Sequence, residues 1–139
     1  MQRISLIALI VALPGAALAH VTATPNAAEA GSRPQVSFRV GHGCEGGAAT
    51  TALRIDIPAG VEEARPRPVA GWKLEIAKDK DGHATSVTWR GNLPDDQFDA
   101  FEISFRAPDK DGKLTFAALQ TCGAKHAEWS PTITVKPAQ

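Results

Sequence analysis

His20 is the residue of this sequence with the most chemistry to offer. It follows Ala17-Leu18-Ala19, and a cut after Ala19 would make it the amino terminus of the mature chain. An N-terminal histidine presents two nitrogens from one residue, its α-amine and its imidazole Nδ1, which can close a chelate ring on one metal ion. The amine titrates near about 8 and imidazole near about 6.5, so a binding metal displaces both protons at neutral pH. Nitrogen donors in a plane suit Cu(II), which also heads the affinity order of the divalent first-row metals. A second reading stands beside this one. Signal peptidase is indifferent to the residue after its cut, and a histidine falls there by chance in some chains.

Two further clusters hold possible ligands. "RVGHGCEGG", 39–47, places His42, Cys44 and Glu45 in a glycine-rich loop leaving a strand. Glu45 can add a carboxylate, and His42 an imidazole, to a site begun by His20; each is otherwise a solvated loop residue. "CGAKHAEW", 122–129, carries Trp129, whose indole can cover one face of a flat metal site or serve as a core tryptophan. His126 and Glu128 read as exposed strand-end residues or as ligands. His83, in the turn "DKDGH", reads as solvated, and Trp72 and Trp89 read as core.

Cys44 and Cys122 are the only cysteines. In an oxidising compartment, an even pair in a small domain reads as a disulfide. The bridge would tie the first third of the chain to its end and contribute a few kcal/mol. It would also carry Trp129, seven residues beyond Cys122, toward the Cys44-Glu45 loop. The alternative is a pair of thiolate ligands, but the two residues lack CxxC spacing. Met1 is the sole methionine and would leave with the export segment. With the cysteines bridged, the mature chain keeps no soft ligand for Cu(I).

These residues need a scaffold, and the sequence describes one. Arg3 supplies a positive start, Ile4–Leu13 an apolar run interrupted only by Ser5, and Pro14-Gly15 a break before the small-x-small site. This is the pattern of a secretory signal over residues 1–19. The apolar run is shorter than the roughly 20 residues of a membrane-spanning helix. The expected product is a single periplasmic or secreted domain, 20–139, without a membrane anchor. Its pattern alternates with period two in Gln35–Val40, Thr51–Ile57, Trp72–Ile76, Thr85–Trp89, Phe101–Phe105, Leu114–Leu119 and Thr132–Val135. Pro, Gly, Asp and Asn clusters separate the runs. "DKDG" occurs at 79–82 and again at 109–112, each expected to be a hairpin connection, and "ARPRPVAGW", 64–72, reads as a stiff bend. No helical stripe of useful length appears. Short strands at this spacing predict an all-β, antiparallel β-sandwich, either immunoglobulin/fibronectin-like or cupredoxin-like.

Composition narrows the function. Fifteen basic and fifteen acidic side chains balance, and only Arg3 is lost with the signal, so nothing favours nucleic acid or an anionic membrane. No GxSxG, HExxH or phosphate-binding loop occurs, and two bridged thiols leave no cysteine nucleophile, so no enzyme is expected.

Six segments, taken in order, resemble the YcnI-like copper-binding domains of bacterial secreted proteins. They are "AHVT" at the cut, "FRVGHGCEG" at 38–46, "TTALRIDIPAGV" at 50–61, "RPVAGWKLE" at 67–75, "VTWRGNLPDDQFDAFEISFRAP" at 87–108 and "LQTCGAKHAEW" at 119–129. The resemblance spans essentially the whole mature chain. It implies a β-sandwich that binds Cu(II) through a single-histidine brace: the amine and imidazole of His20, a glutamate from the loop after the second strand, and a tryptophan near the C-terminus against the metal. The glutamate falls on Glu45 and the tryptophan on Trp129. This chain departs from members whose loop is shorter and lacks cysteine, which brings His42 forward as an alternative ligand. The resemblance further implies a metallochaperone or copper reservoir in copper homeostasis, with a copper transporter or another periplasmic copper protein as partner. Two other readings remain. One is an immunoglobulin-like module that binds protein or glycan without metal, for which the absence of Tyr and the presence of only three Trp make a poor aromatic supply. The other is a copper oxidase or monooxygenase, which the small nitrogen donor set disfavours.

Overall fold

The computed structural model describes residues 21–139. The predicted export segment and His20 lie outside the described residues. Every regular element among those residues is a strand: β1 (Val21–Thr24), β2 (Ala27–Glu29), β3 (Gln35–Val40), β4 (Thr50–Asp56), β5 (Glu62–Pro66) and β6 (Lys73–Lys78) in the first half. There follow β7 (Ala84–Leu93), β8 (Asp99–Arg106), β9 (Gly112–Thr115), β10 (Ala118–Cys122), β11 (Lys125–Trp129) and β12 (Thr132–Lys136).

Alternation in the sequence decides which side of each strand is dry. In β3, Val36, Phe38 and Val40 turn inward, and in β8 Phe101, Ile103 and Phe105 do the same. The register sets Val36 opposite Ile103 and Phe38 opposite Phe101, so the two strands present one apolar face. β4 and β7 supply the opposing face with Leu53, Ile55, Val87 and Trp89, all fully buried. The faces belong to two sheets, ordered β1-β3-β8-β5 and β11-β10-β4-β7-β6, which pack as a sandwich. A small third sheet, β2-β12-β9, adds Leu114, Ile133 and Val135 to the same core. Aromatic rings knit the layers: Trp89 stands 5.3 Å from Phe101, and Phe116 stands 5.3 Å from both Phe38 and Phe105. The buried indole N–H of Trp89 donates to the carbonyl of Arg67 at 2.9 Å, so the proline-rich stretch has a structural duty.

The sandwich is the predicted class, and three local expectations are corrected. The second "DKDG", 109–112, is not a hairpin connection. It carries the chain from β8 to β9, which lie in different sheets, whereas 79–82 does close the β6–β7 hairpin. Leu114–Leu119 is not one strand. The chain breaks at Phe116-Ala117, with β9 pairing to β12 and β10 to β4, because a strand that serves two sheets must bend between them. "ARPRPVAGW" is a bend only in part, since Ala64–Pro66 complete β5 at a sheet edge, where prolines interrupt no inner ladder.

For the site, the useful consequence is at one end of the sandwich. β1 begins with Val21, fully buried and paired with Val40, the last residue of β3. Val21 thereby stands where the 41–49 loop departs.

Candidate metal centre

The 41–49 loop is held by three outside segments and by one bridge of its own. Cys44 is bonded to Cys122 across a sequence separation of 78, as the cysteine count predicted, and no free cysteine remains. The Cys44 amide donates to the Ala48 carbonyl at 3.1 Å, closing a small bridge. The Gly43 amide donates to Oδ1 of Asp95 at 2.8 Å, a clamp from the turn after β7. Lys125 Nζ donates to the Glu45 carbonyl at 3.1 Å, a clamp from β11.

Within the loop, the Gly47 amide donates to the Cys44 carbonyl at 3.1 Å, which makes Cys44–Gly47 a tight turn. Gly46 has φ +80°, the third-position conformation that glycine adopts without strain. Glu45 is consequently the second residue of the turn and is exposed at its tip. Gly43 is required for a different reason: a Cβ there would stand 1.9 Å from the Ala48 carbonyl oxygen.

β10 and β11 form a hairpin over Gly123-Ala124, with Ala118 opposite Trp129 and Thr121 opposite His126. Cys122 closes β10, so the disulfide fixes this hairpin beside the loop. Glu45, Cys44 and Trp129 line one open groove of about 670 Å³, together with Lys125, His126 and Ala127. The structure therefore brings Glu45 and Trp129 to one place. His42 is exposed and is not among the residues lining that groove; its Nδ1 donates to the Gly43 carbonyl at 2.9 Å. His126 reaches the groove rim, while Glu128 lines a neighbouring depression with Arg54 and Asp56. His83 lies elsewhere, in the β6–β7 turn, with Asp79 and Asp81.

The chemistry open to this groove is set by its donors. The indole N–H of Trp129 is turned away to Gln120 Oε1 at 3.0 Å, so the ring borders the groove while the nitrogen is engaged behind it. Both thiols are committed to the bridge. In this groove the described side chains offer a cation carboxylate oxygen from Glu45 and imidazole nitrogen from His126 at the rim, a hard-to-borderline set of the kind that divalent ions such as Cu(II) take.

Three residues of the site escaped sequence reasoning: Gln120, Asp95 and Lys125. Gln120 left a trace. Ala118, Gln120 and Cys122 share the inward face of β10, and a glutamine at a core position implies a partnered buried amide. Asp95 and Lys125 left none, since each is one charged residue among many in polar turns.

Comparison with known proteins gives the family. The sequence model of a family described as "Domain of unknown function (DUF1775)" matches residues 20–138. The crystal structure of an uncharacterized protein from Nocardia farcinica, described as revealing an immunoglobulin-like fold, is 30% identical, with 84% of this chain and 97% of that one aligned at a TM-score of 0.73. A family 123 glycoside hydrolase from Clostridium perfringens aligns over 81% of this chain but 22% of its own, at 11% identity and a TM-score of 0.41, a likeness too slight to carry any argument. No curated protein matches the chain. An all-β sandwich, an immunoglobulin-like neighbour and a family match over nearly all the described residues converge: this chain belongs to the DUF1775 family, as an immunoglobulin-like domain of unknown function.

Proposed function

We propose that the mature chain is an exported Cu(II)-binding protein of the YcnI-like kind, a periplasmic copper carrier or buffer rather than an enzyme. In this reading the amine and imidazole of His20 chelate copper, Glu45 completes the plane, and the Trp129 ring covers the metal. A copper transporter or another periplasmic copper protein is the exchange partner.

One observation supports it above the others: β1 starts at the buried Val21–Val40 pair, at the root of the loop that presents Glu45. Val21 directly follows His20 in the sequence and stands beside that loop. The family match beginning at residue 20 agrees with a mature chain that starts there. The donor set agrees as well, because a mature chain without methionine or a free thiol favours the oxidised ion. An interaction module without metal calls for an exposed aromatic face. Of the large apolar side chains exposed among the described residues, Ile76 is on β6 and Phe98 in the connection between β7 and β8, and Arg39 lies over the Phe98 ring at 4.7 Å.

The ligand assignment is tested by two substitutions. Glu45→Gln is expected to weaken Cu(II) binding by at least about tenfold, the low end of what losses even outside the ligand shell cost. His42→Ala is expected to change it by less than about threefold, well inside that margin. Isothermal titration on mature, oxidised protein reads both. The opposite order would move the third ligand to His42.

A further inference from the structure

Gln120 bonds both the tryptophan of the groove and the loop that carries Glu45. It is fully buried. Its Oε1 accepts from the Trp129 indole at 3.0 Å, and its Nε2 donates to the His42 carbonyl at 2.9 Å and to Thr50 Oγ1 at 2.8 Å.

The sense of these bonds follows from the partners alone. An indole N–H can only donate, so the amide oxygen must face Trp129. A backbone carbonyl can only accept, so the amide nitrogen must face His42. Flipping the amide would set donor against donor at one end and acceptor against acceptor at the other. Both N–H groups of the amide are then in use, and the Thr50 hydroxyl, accepting from Gln120, turns its own proton toward Cys122 Sγ at 3.8 Å. One amide thus joins the tryptophan of β11, the root of the Glu45 loop, and the start of β4 beside the disulfide.

We infer that Gln120 is a positioning residue for the groove: it locks the orientation of the Trp129 indole to the position of the His42–Glu45 loop, so that ring and loop move as one unit. The disulfide alone does not do this. It fixes the distance between the loop and the end of β10 and makes no bond to the Trp129 ring, which lies on the next strand against the edge of the core. The Gln120 amide bonds that ring directly and links it to the root of the loop. A residue in this place acts on a bound metal without touching it, by setting where the covering ring and the carboxylate-bearing turn stand relative to each other.

The test uses mature protein with the bridge intact, and two readouts. Without metal, hydrogen exchange of the Trp129 indole N–H is followed by NMR in wild type and Gln120→Met, which keeps side-chain length and removes the amide. Exchange is expected to be at least about tenfold faster in the variant, since the donor loses its buried acceptor. With Cu(II) as the probe, Gln120→Met and Trp129→Phe are each expected to weaken binding by about tenfold, and the double variant by little more than either, because they cut the same link. Unchanged indole exchange, or losses that multiply in the double variant, would overturn the inference. Should Gln120→Met fail to fold, Gln120→Asn, one methylene short of both partners, takes its place with the same expectations. The affinity arm rests on the copper reading above, and the exchange arm does not. Wild type that fails to bind Cu(II) would sink that reading, and indole exchange would still decide whether Gln120 holds the ring.

Discussion

Replacing Cys44 and Cys122 together by serine is expected to remove about 4.5 kcal/mol of unfolding free energy, the chain-entropy value for a loop of this length. Domains of this size have only about 5–15 kcal/mol in total, so the variant would stand near the edge of folding. Both cysteines are buried, which adds the burden of two hydroxyls placed in the core. The copper effect is expected to be larger still. Without the bridge, the Lys125 contact and the Gln120 amide are left to hold the loop bearing Glu45 to the β10–β11 hairpin, and Glu45 and Trp129 would no longer share one groove at a fixed spacing. Urea titration of the double variant beside oxidised wild type measures the first claim. A loss under about 1 kcal/mol would show that the unfolded chain is already constrained, or that the hydrogen-bonded loop stands without the bridge.

Gly43→Ala is the second large effect. The added methyl would meet the Ala48 carbonyl oxygen at 1.9 Å, its carbon at 2.9 Å and Asp95 Oδ1 at 3.0 Å. Two of these are backbone atoms, and the carbonyl is the acceptor for the Cys44 amide, so relief requires breaking the bridge that shapes the turn. Overpacking of this severity costs about 3 kcal/mol, or roughly 10 °C of melting temperature for a domain of this size. Because Glu45 is two residues away, Cu(II) affinity is expected to fall with stability. Gly41→Ala is the matched control: its methyl would approach the far end of the Arg39 side chain, at 3.4 Å, and no backbone atom within 4 Å, and the melting temperature should move by no more than about 2 °C. Equal effects at the two positions would mean that the loop tolerates the clash by moving as a body.

How far the sequence revealed this molecule depended on how local each signal was. The alternation of β3, β4 and β8 is written in adjacent residues, and those strands emerged with the faces expected. The third sheet did not, because β2 and β9 are three and four residues long and find their partner, β12, far along the chain. The two copies of "DKDG" make the point most clearly. The tetrapeptide specifies a turn in both places, but the flanking strands decide whether the chain returns along its neighbour or crosses to another sheet. At the site, an even pair of cysteines in a small domain announced their bond, and through it the approach of Trp129 to Glu45. Gln120, Asp95 and Lys125 were hidden because each acts through one hydrogen bond or a few to a segment dozens of residues away, and no short-range pattern records such a pairing.

The central claim is that the free amino terminus of His20 binds copper. It is tested by Cu(II) titration with EPR on two preparations of the oxidised domain, one beginning at His20 and one carrying a single extra residue ahead of it. The extension turns the α-amine of His20 into a peptide nitrogen, moves the free amine to the added residue, and alters no side chain of the domain. Tight one-to-one binding in the first is expected, with affinity reduced by more than about 100-fold and a changed EPR spectrum in the second, because losses outside the ligand shell alone reach that size. Equal binding and identical spectra in the two would contradict the claim and place the copper on side chains of the loops.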